Sequence, residues 1–364
     1  MGKEIMNMTL EGTTTRRTVI SGIGATGLGL ALSGPLAAAQ DATPAATPAG
    51  GTPPVVGGSL TVYCGRNEEL IGSLIPNIEA VTGVTLDVRF GNTAELAAQI
   101  LEEGDNTPAG LYFGQDAGAL GALAAAGSFA PLPANILDQV SPEFRSTDGL
   151  WVGVSGRARV LVYNTAVTDP DTLPASIVDL PTAELSGPIG WAPSNASFQS
   201  FVTALRVAEG EDAARAWLQA MIDAGAVTYE GNGALLQATG SQEIAVGLVN
   251  HYYLYETLAE NPDLTIANYY FPDGDLGSLI NVAGVGMIAN SGQEEQAQAV
   301  ISYLLGTEAQ TYFSQETTEY PLAAGIEAVD TLPPLANLQQ PDIDLSDLAD
   351  LEGTLALLTE LGLI

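Results

Sequence analysis

The side chains best suited to chemistry stand together at Asn250-His251-Tyr252-Tyr253-Leu254-Tyr255. The run Ile244–Asn250 reads as a strand and His251–Ala259 as a helix, so the pair Tyr252-Tyr253 falls at a strand-to-helix corner. Along a continuous strand, neighbouring side chains point to opposite faces; at such a corner the backbone turns, and two adjacent tyrosines can converge on one point. Phenolate oxygens are hard anionic donors that suit a hard trivalent cation such as Fe(III). A phenol ordinarily holds its proton up to a pH of about 10, so a metal must displace the protons, and binding weakens in acid. The competing expectation is a pair of packed aromatic rings with satisfied hydroxyls. His251 is expected at the cleft rim or as a cap, since no Cys or acidic cluster flanks it at ligand spacing.

Three other segments suit an anion. Pro193-Ser194-Asn195-Ala196-Ser197 precedes a helix from Phe198, so its amides face outward at a helix N-terminus. Gly231-Asn232-Gly233 opens a short helix around Leu235–Ala238 in the same way. Ser155-Gly156-Arg157-Ala158-Arg159 sets two arginines beside a strand. No phosphate-loop signature accompanies any of them.

The 364 residues carry 43 Asp+Glu against 10 Lys+Arg, one His and one Cys, for a net charge of -33. No basic stripe exists to release phosphate counterions, which excludes a nucleic-acid partner. One His and one Cys build neither a Cys/His zinc site nor a Cys-x-x-Cys redox pair, and no disulfide forms within the chain. Cys64, at the end of an apolar run, is expected as a buried thiol rather than a lipid anchor. With 46% hydrophobic residues the chain can bury a core, and its length suggests two lobes.

Residues 13–18 read Thr-Thr-Thr-Arg-Arg-Thr, followed by a glycine-laden apolar run from Val19 to Leu32 and then Ala37-Ala38-Ala39. This is the pattern of a secretory signal over residues 1–39, with Arg16-Arg17 suggesting the twin-arginine type that exports folded proteins. Its glycines and Pro35 argue against a membrane-spanning helix. Residues 40–57, rich in Ala, Thr, Pro and Gly, read as a tether. The body is therefore expected in the periplasm or on the outer face of the cytoplasmic membrane. Loss of residues 1–39 would leave seven bases, all arginine.

Beyond the tether, strands and helices alternate. Strands are expected at Ser59–Tyr63, Thr85–Phe90 and Gly110–Phe113, with helices at Glu68–Thr82, Thr93–Glu103 and Asp116–Ala126. That rhythm argues for a parallel sheet with covering helices. A second cycle has strands at Leu150–Val154, Arg159–Tyr163, Ile189–Ala192, Leu264–Phe271 and Leu279–Ala289. Its helices are expected at Phe198–Val207, Ala213–Ala224, Gln293–Leu305 and Glu308–Thr317. Two α/β lobes exchanging the chain would set a ligand cleft between them.

The strings VYCGRNEEL (62–70), WVGVSGRARVLVYN (151–164), IGWAPSNASF (189–198), GLVNHYYLY (247–255) and EYPL (319–322) carry a resemblance. With TAELAAQILEEGDNTPAGLYFGQDAGALGAL (93–123), they resemble the ferric-ion-binding periplasmic proteins, the substrate-binding components of iron(III) ABC importers. The resemblance runs from about residue 58 to the C-terminus. It implies a two-lobed α/β periplasmic-binding-protein fold (type II-like), two mixed sheets flanked by helices, and crossover hinge strands. The lobes would comprise 58–157 plus about 283–333, and about 158–282 plus 334–364.

It further implies Fe(III) as cargo held by Tyr252 and Tyr253, with a synergistic anion, carbonate or phosphate, at Asn195, Ala196, Asn232 and Arg157. The implied partner is a membrane permease, and the protein is expected to be a monomer without enzymatic activity. Two positions depart from the better-known members, which carry a ligating His and Glu where this sequence has Asn67 and Gln115. Where a tyrosine-rich branch carries a third tyrosine, Phe198 stands. Two phenolates against a trivalent ion leave charge to be completed. Glu68 or Glu69 can swing in, but both also fit the first turn of a helix. A bound anion is the preferred completion, with Asn67, Gln115, Arg66, Glu68, Glu69 and His251 as surrounding cleft groups. Two other readings stay open: the same fold holding an oxyanion or small organic anion without iron, and an exported hydrolase using His251. The latter lacks a Gly-x-Ser-x-Gly nucleophile motif.

Overall fold

The computed structural model describes residues 53–364. The expected signal and all but the last residues of the expected tether lie outside the described residues. The tether ends earlier than composition suggested: the Val56 and Gly57 amides both donate to the Thr82 carbonyl, and Val56 packs on the core.

The chain begins with β1 (Ser59–Cys64), α1 (Glu68–Ile71), α2 (Leu74–Thr82), β2 (Thr85–Phe90), α3 (Thr93–Glu103), β3 (Leu111–Gly114), α4 (Ala117–Ala125) and α5 (Ala134–Leu137). β1 pairs in parallel with both β2 and β3. The single helix expected over Glu68–Thr82 is broken into two at Gly72-Ser73. The Gly72 amide closes a turn on the Glu68 carbonyl, and a Cβ there would lie 2.7 Å from that oxygen. Only glycine fits so tight a turn. Asn92 caps α3 by accepting from the Ala94 and Glu95 amides. The Thr93 hydroxyl donates to the Gly65 carbonyl at 3.0 Å, tying α3 to the turn after β1. The segments that leave the carboxyl ends of β1 and β3 begin Gly65-Arg66-Asn67 and Gln115-Asp116, at the kind of edge where open α/β sheets take ligands.

The rest of the chain holds β4 (Trp151–Asn164), β5 (Ile189–Trp191), α6 (Ala196–Glu209), α7 (Glu211–Asp223), β6 (Val227–Thr228), α8 (Asn232–Gly240), β7 (Val246–Asn250) and α9 (Tyr253–Glu260). Then follow β8 (Ile266–Tyr269), β9 (Ile280–Met287), α10 (Glu294–Leu304), α11 (Thr307–Gln315), β10 (Tyr320–Pro321) and α12 (Leu351–Glu360). Separate strands were expected at Leu150–Val154 and Arg159–Tyr163; the structure has one strand of 14 residues, buried throughout. Its glycines allow close packing rather than a turn: a Cβ at Gly153 would lie 2.6 Å from the Phe144 carbonyl oxygen. β9 bonds β4 along Trp151–Ala158, with a bulge at Gly153/Ser155, whereas β7 and β8 take it over from Arg159 and Leu161 respectively. β4 thus belongs to both sheets. The strands run β2-β1-β3-β9-β4-β7-β5-β6, with β8 and β10 also paired to β4.

The C-terminal segment had no sequence expectation beyond belonging to the second lobe. A 3₁₀ turn at Leu345–Ala349 packs against α4, and α12 packs against α6. The approach to α4 requires glycine. A Cβ at Gly118 would lie 2.8 Å from the Leu348 carbonyl oxygen, and one at Gly121 would lie 3.0 Å from that of Ser346. Gly121→Val is expected to cost about 1–3 kcal/mol by overpacking. Chemical denaturation would show this as a lower midpoint at unchanged slope.

Candidate metal centre

β7 ends at Asn250 and α9 begins at Tyr253, so His251 and Tyr252 form the corner. The Tyr252 backbone is already helical, with φ -69° and ψ -26°. That early turn brings the neighbouring rings together: Tyr252 and Tyr253 stack with centroids 4.4 Å apart at 27°. Tyr252 is buried and Tyr253 half-buried. Burial pushes the Tyr252 phenol well above its ordinary range, and Tyr253 beside it adds to the effect, as does Glu319, while Arg157 opposes it. Without a metal, Tyr252 is therefore a neutral phenol.

His251 fixes the corner from behind and is fully buried, not at the rim. Its Nδ1 accepts from the Ala158 amide at 3.1 Å, so the ring proton sits on Nε2, which donates to the Thr318 carbonyl at 2.9 Å. Its backbone amide donates to the Ala158 carbonyl at 3.0 Å. The Tyr320 ring lies across it at 4.9 Å. Burial lowers its pKa to about 4, so the imidazole is neutral at pH 7. With both ring nitrogens committed, His251 positions the tyrosines and has no lone pair left for a metal.

Charge gathers beside the pair. Arg66, just past β1, donates to both carboxylate oxygens of Glu319 at 2.9 and 2.6 Å. Arg157 Nε lies 3.9 Å from the same carboxylate, within ion-pair range but beyond a hydrogen bond. Its Nη2 donates to the Gln115 carbonyl, while Nε and Nη1 have no hydrogen-bond partner. Arg159 is buried with no carboxylate partner. It donates to Asn250 Oδ1 at 3.2 Å and the Leu248 carbonyl at 3.1 Å, over the Phe198 ring. Burial lowers its pKa to about 9, against which Tyr253 acts. Burying a cation without a counterion is costly. These two guanidiniums present a site where an anion would be welcome.

Several other polar groups lie open in the same part of the fold. Asn195 caps α6, its side chain accepting from the Ser197 and Phe198 amides at 3.1 and 3.3 Å. This leaves the Ala196 amide, at the first helical position, with no acceptor in its own helix. Asn232 opens α8, which packs against β7 and α9, and is 3% exposed with neither side-chain atom hydrogen-bonded. A small pocket is lined by Arg157, Arg159, Ser197, Asn250 and Asn281. Asn250 Nδ2 donates to Ser197 Oγ at 3.0 Å, leaving that hydroxyl free to donate.

The candidates on the other side divide. Arg66 and Gln115 join the buried charges, and the Gln115 side-chain oxygen is buried without a partner. Asn67, Glu68 and Glu69 are exposed. Asn67 caps α1 by accepting from the Glu69 amide at 3.0 Å, and both glutamates occupy that helix's first turn. Among the described residues, no group of three or more His, Cys, Asp or Glu is arranged to hold a metal. Sequence reasoning passed over Glu319, Arg159, Asn250 and Asn281 as individual site residues. The first two carried a signal: a glutamate directly before the apolar run Tyr320-Pro321-Leu322, and an arginine at strand spacing from Arg157. Asn250 stood at the head of the tyrosine segment without a role of its own, and Asn281 carried no signal, because ordinary strand residues look alike.

Residues 108–347 match the family described as bacterial extracellular solute-binding protein. The chain is 32% identical over 308 residues to the Fe(3+)-binding periplasmic protein of Serratia marcescens, covering 84% of this chain and 90% of that one. The structure superposes on iron-bound HitA of Pseudomonas aeruginosa with a TM-score of 0.77 at 31% identity, covering 84% of this chain and 99% of that one. It also superposes on a Trichodesmium protein (IdiA, FutA) in complex with iron and citrate, at a TM-score of 0.74 and 26% identity, covering 84% and 100%. These likenesses bear out the two-lobed periplasmic-binding-protein fold. By sequence and by fold, the chain is a member of the ferric-ion-binding periplasmic proteins within the bacterial extracellular solute-binding family.

Proposed function

We propose that this protein captures Fe(III) outside the cytoplasmic membrane with Tyr252 and Tyr253 and hands it to the permease of an ABC importer. The observation that carries this reading is the stacked tyrosine pair at the β7–α9 corner, beside guanidiniums with unpaired N–H groups. Two phenolates leave a trivalent ion under-neutralised, and no carboxylate cluster stands ready to complete its shell. A small anion such as carbonate or phosphate would bridge the metal and the protein. Arg157, the Ala196 amide beside Asn195, and Asn232 are its supports, with Arg159 and Ser197 added by their geometry. Asn67, Glu68 and Glu69 would stay at the rim. Export by the twin-arginine signal and action as a monomer belong to the same reading. So does an exchange between lobes near 157/158 and 282/283, supported by the change of β4 partners at Ala158/Arg159.

Ferric phenolate absorbs visible light, so the iron-free protein titrated with ferric citrate is expected to turn reddish and to melt at a higher temperature. A colourless protein with unchanged melting would sink the reading. The unpaired Arg157 and Asn232 groups would by themselves also suit an anion held without iron. In that case phosphate alone would raise the melting temperature and ferric ion would add nothing. Asn232→Ala should leave the colour attainable but raise the anion concentration needed for it by roughly 10–100-fold, the usual effect of removing a group that supports a metal's ligands.

A further inference from the structure

One buried carboxylate, Glu319, is a group that the tyrosine site does not itself require. Glu319 lies between α11 and β10, and its side chain is 1% exposed. Arg66 grips both its oxygens, and Thr317 Oγ1 donates to Oε2 at 3.0 Å. Arg157, on the strand shared by the two sheets, reaches Oε1 only at 3.9 Å. The carboxylate is therefore nearly spent on Arg66, and Arg157 keeps most of its charge for the cleft. Arg66, Arg157 and Glu319 together carry a formal charge of +1, and buried Asp116, which also acts on Arg157, is the same in every comparison below.

Arg66 turns its two terminal nitrogens to Glu319 and keeps only Nε, buried, without a partner. The side chain is fully buried over the Phe113 ring. If Arg66 and Glu319 acted only as a packing element, an apolar pair of the same volume would serve as well. Their arrangement does something an apolar pair cannot do when one member is altered: it determines how much positive charge stands behind Arg157. Removing Arg66 leaves Glu319 to neutralise Arg157, for a cluster charge of zero. Removing Glu319 leaves two unopposed cations. Removing both restores the original +1.

Resting on the function proposed above, we propose that Glu319, with Arg66, is a specificity-determining pair that sets the charge Arg157 presents to the cleft and so sets how tightly the accompanying anion is held. The pair acts on the anion through Arg157 rather than by contact, and its separate influence on the Tyr252 phenol drops out of the iron-free measurement below. Its consequence is selection: a cluster held at +1 beside neutral Asn232 and Gln115 favours a small anion of low charge and avoids trapping a polyanion that could not be released with the iron.

The test compares Arg66→Met, Glu319→Gln and the double variant in the full exported protein. The readout is the concentration of bicarbonate or inorganic phosphate that brings the ferric-phenolate band to half its height. Arg66→Met is expected to raise that concentration and Glu319→Gln to lower it, each by about tenfold for a unit charge in a partly screened interior. The double variant should return to within about threefold of the wild type. A pair that only packs would move both single variants the same way, in step with their melting temperatures, and that result overturns the proposal. Should either single variant fail to fold, the double variant decides: an anion requirement shifted more than about tenfold from wild type also overturns it. A second readout separates this inference from the iron reading. Phosphate protection of the iron-free protein against heat should follow the same order among the variants, even if no ferric band forms in any of them.

Discussion

Tyr252→Phe and Tyr253→Phe should each abolish most of the visible ferric band and weaken iron binding by more than about 100-fold. Altering a group that merely supports a metal's ligands costs about 10–100-fold, and loss of a ligand should exceed that. Phenylalanine keeps the ring and the stacking at 4.4 Å, so the loss would report the phenol oxygen rather than a collapsed corner. The same chemistry sets a pH dependence. Burial holds the Tyr252 proton well above the ordinary phenol range, so iron must drive off a proton from each ring. Where two protons are released per metal bound, apparent affinity falls about 100-fold for each unit of lowered pH. Equilibrium competition with citrate between pH 8 and 6, read from the band, would measure that slope. A pH-independent affinity would exclude the tyrosines as ligands.

The second large effect is expected at His251, which the geometry makes a positioning residue. His251→Ala leaves the Ala158 amide and the Thr318 carbonyl without their partners, which now lie at 3.1 and 2.9 Å. Two buried unsatisfied groups cost roughly 2–6 kcal/mol together, and urea unfolding of the iron-free protein would register the loss. The pH dependence has a definite sign. An unfolded histidine titrates at 6.5, while burial lowers the folded value to about 4. The unfolded chain therefore takes up the proton first as the pH falls. The stabilisation is fully present above about pH 6.5 and is lost on descending to about pH 4, by roughly 3 kcal/mol in all. His251→Gln, which cannot titrate, should flatten the stability curve across that window while lowering it at pH 7. Glu319 contributes in a different range. Burial disfavours its charge, yet Arg66 and Arg157 hold its carboxyl below the usual value, so its contribution is lost only in stronger acid.

Much of the architecture was legible because it is written in local periodicity. Thr85–Phe90 and Thr93–Glu103 have the bounds that alternation and the helical stripe predict. The corner at Asn250–Tyr253 was also visible, since a strand pattern meets a helical one there. Errors arose where a residue's local meaning was reversed by its surroundings. Ser155-Gly156 falls between two expected strands, yet it lies inside a continuous one because β9 and β10 close over it. His251 reads as a polar rim residue, yet the sheet turns it inward onto two backbone partners. Helix α12 was not anticipated, because its apolar residues find a partner only once α6 is folded against it.

The large negative charge shows the same division. It argued against a nucleic-acid partner at once, since that expectation needs only a count. Taken alone, it could suggest a carboxylate cage for a metal. Instead, Glu319, buried near Tyr252, is held by two arginines, and no acidic cluster among the described residues is arranged as a ligand set. Among the described residues, most of the Asp and Glu side chains are exposed.

By itself, then, the sequence determined which donor atoms this protein could bring to a metal. One His, one Cys and an adjacent tyrosine pair leave oxygen as the main donor, and that is a matter of composition and short-range spacing. Only the tertiary structure decided the charge those oxygens would meet. Arg66 and Glu319 are 253 positions apart, and Arg157 and Arg159 sit two residues apart on one strand with different partners. Ion pairing is set by which side chains share a desolvated space. That sharing exists only after the long strand β4 has joined the two sheets.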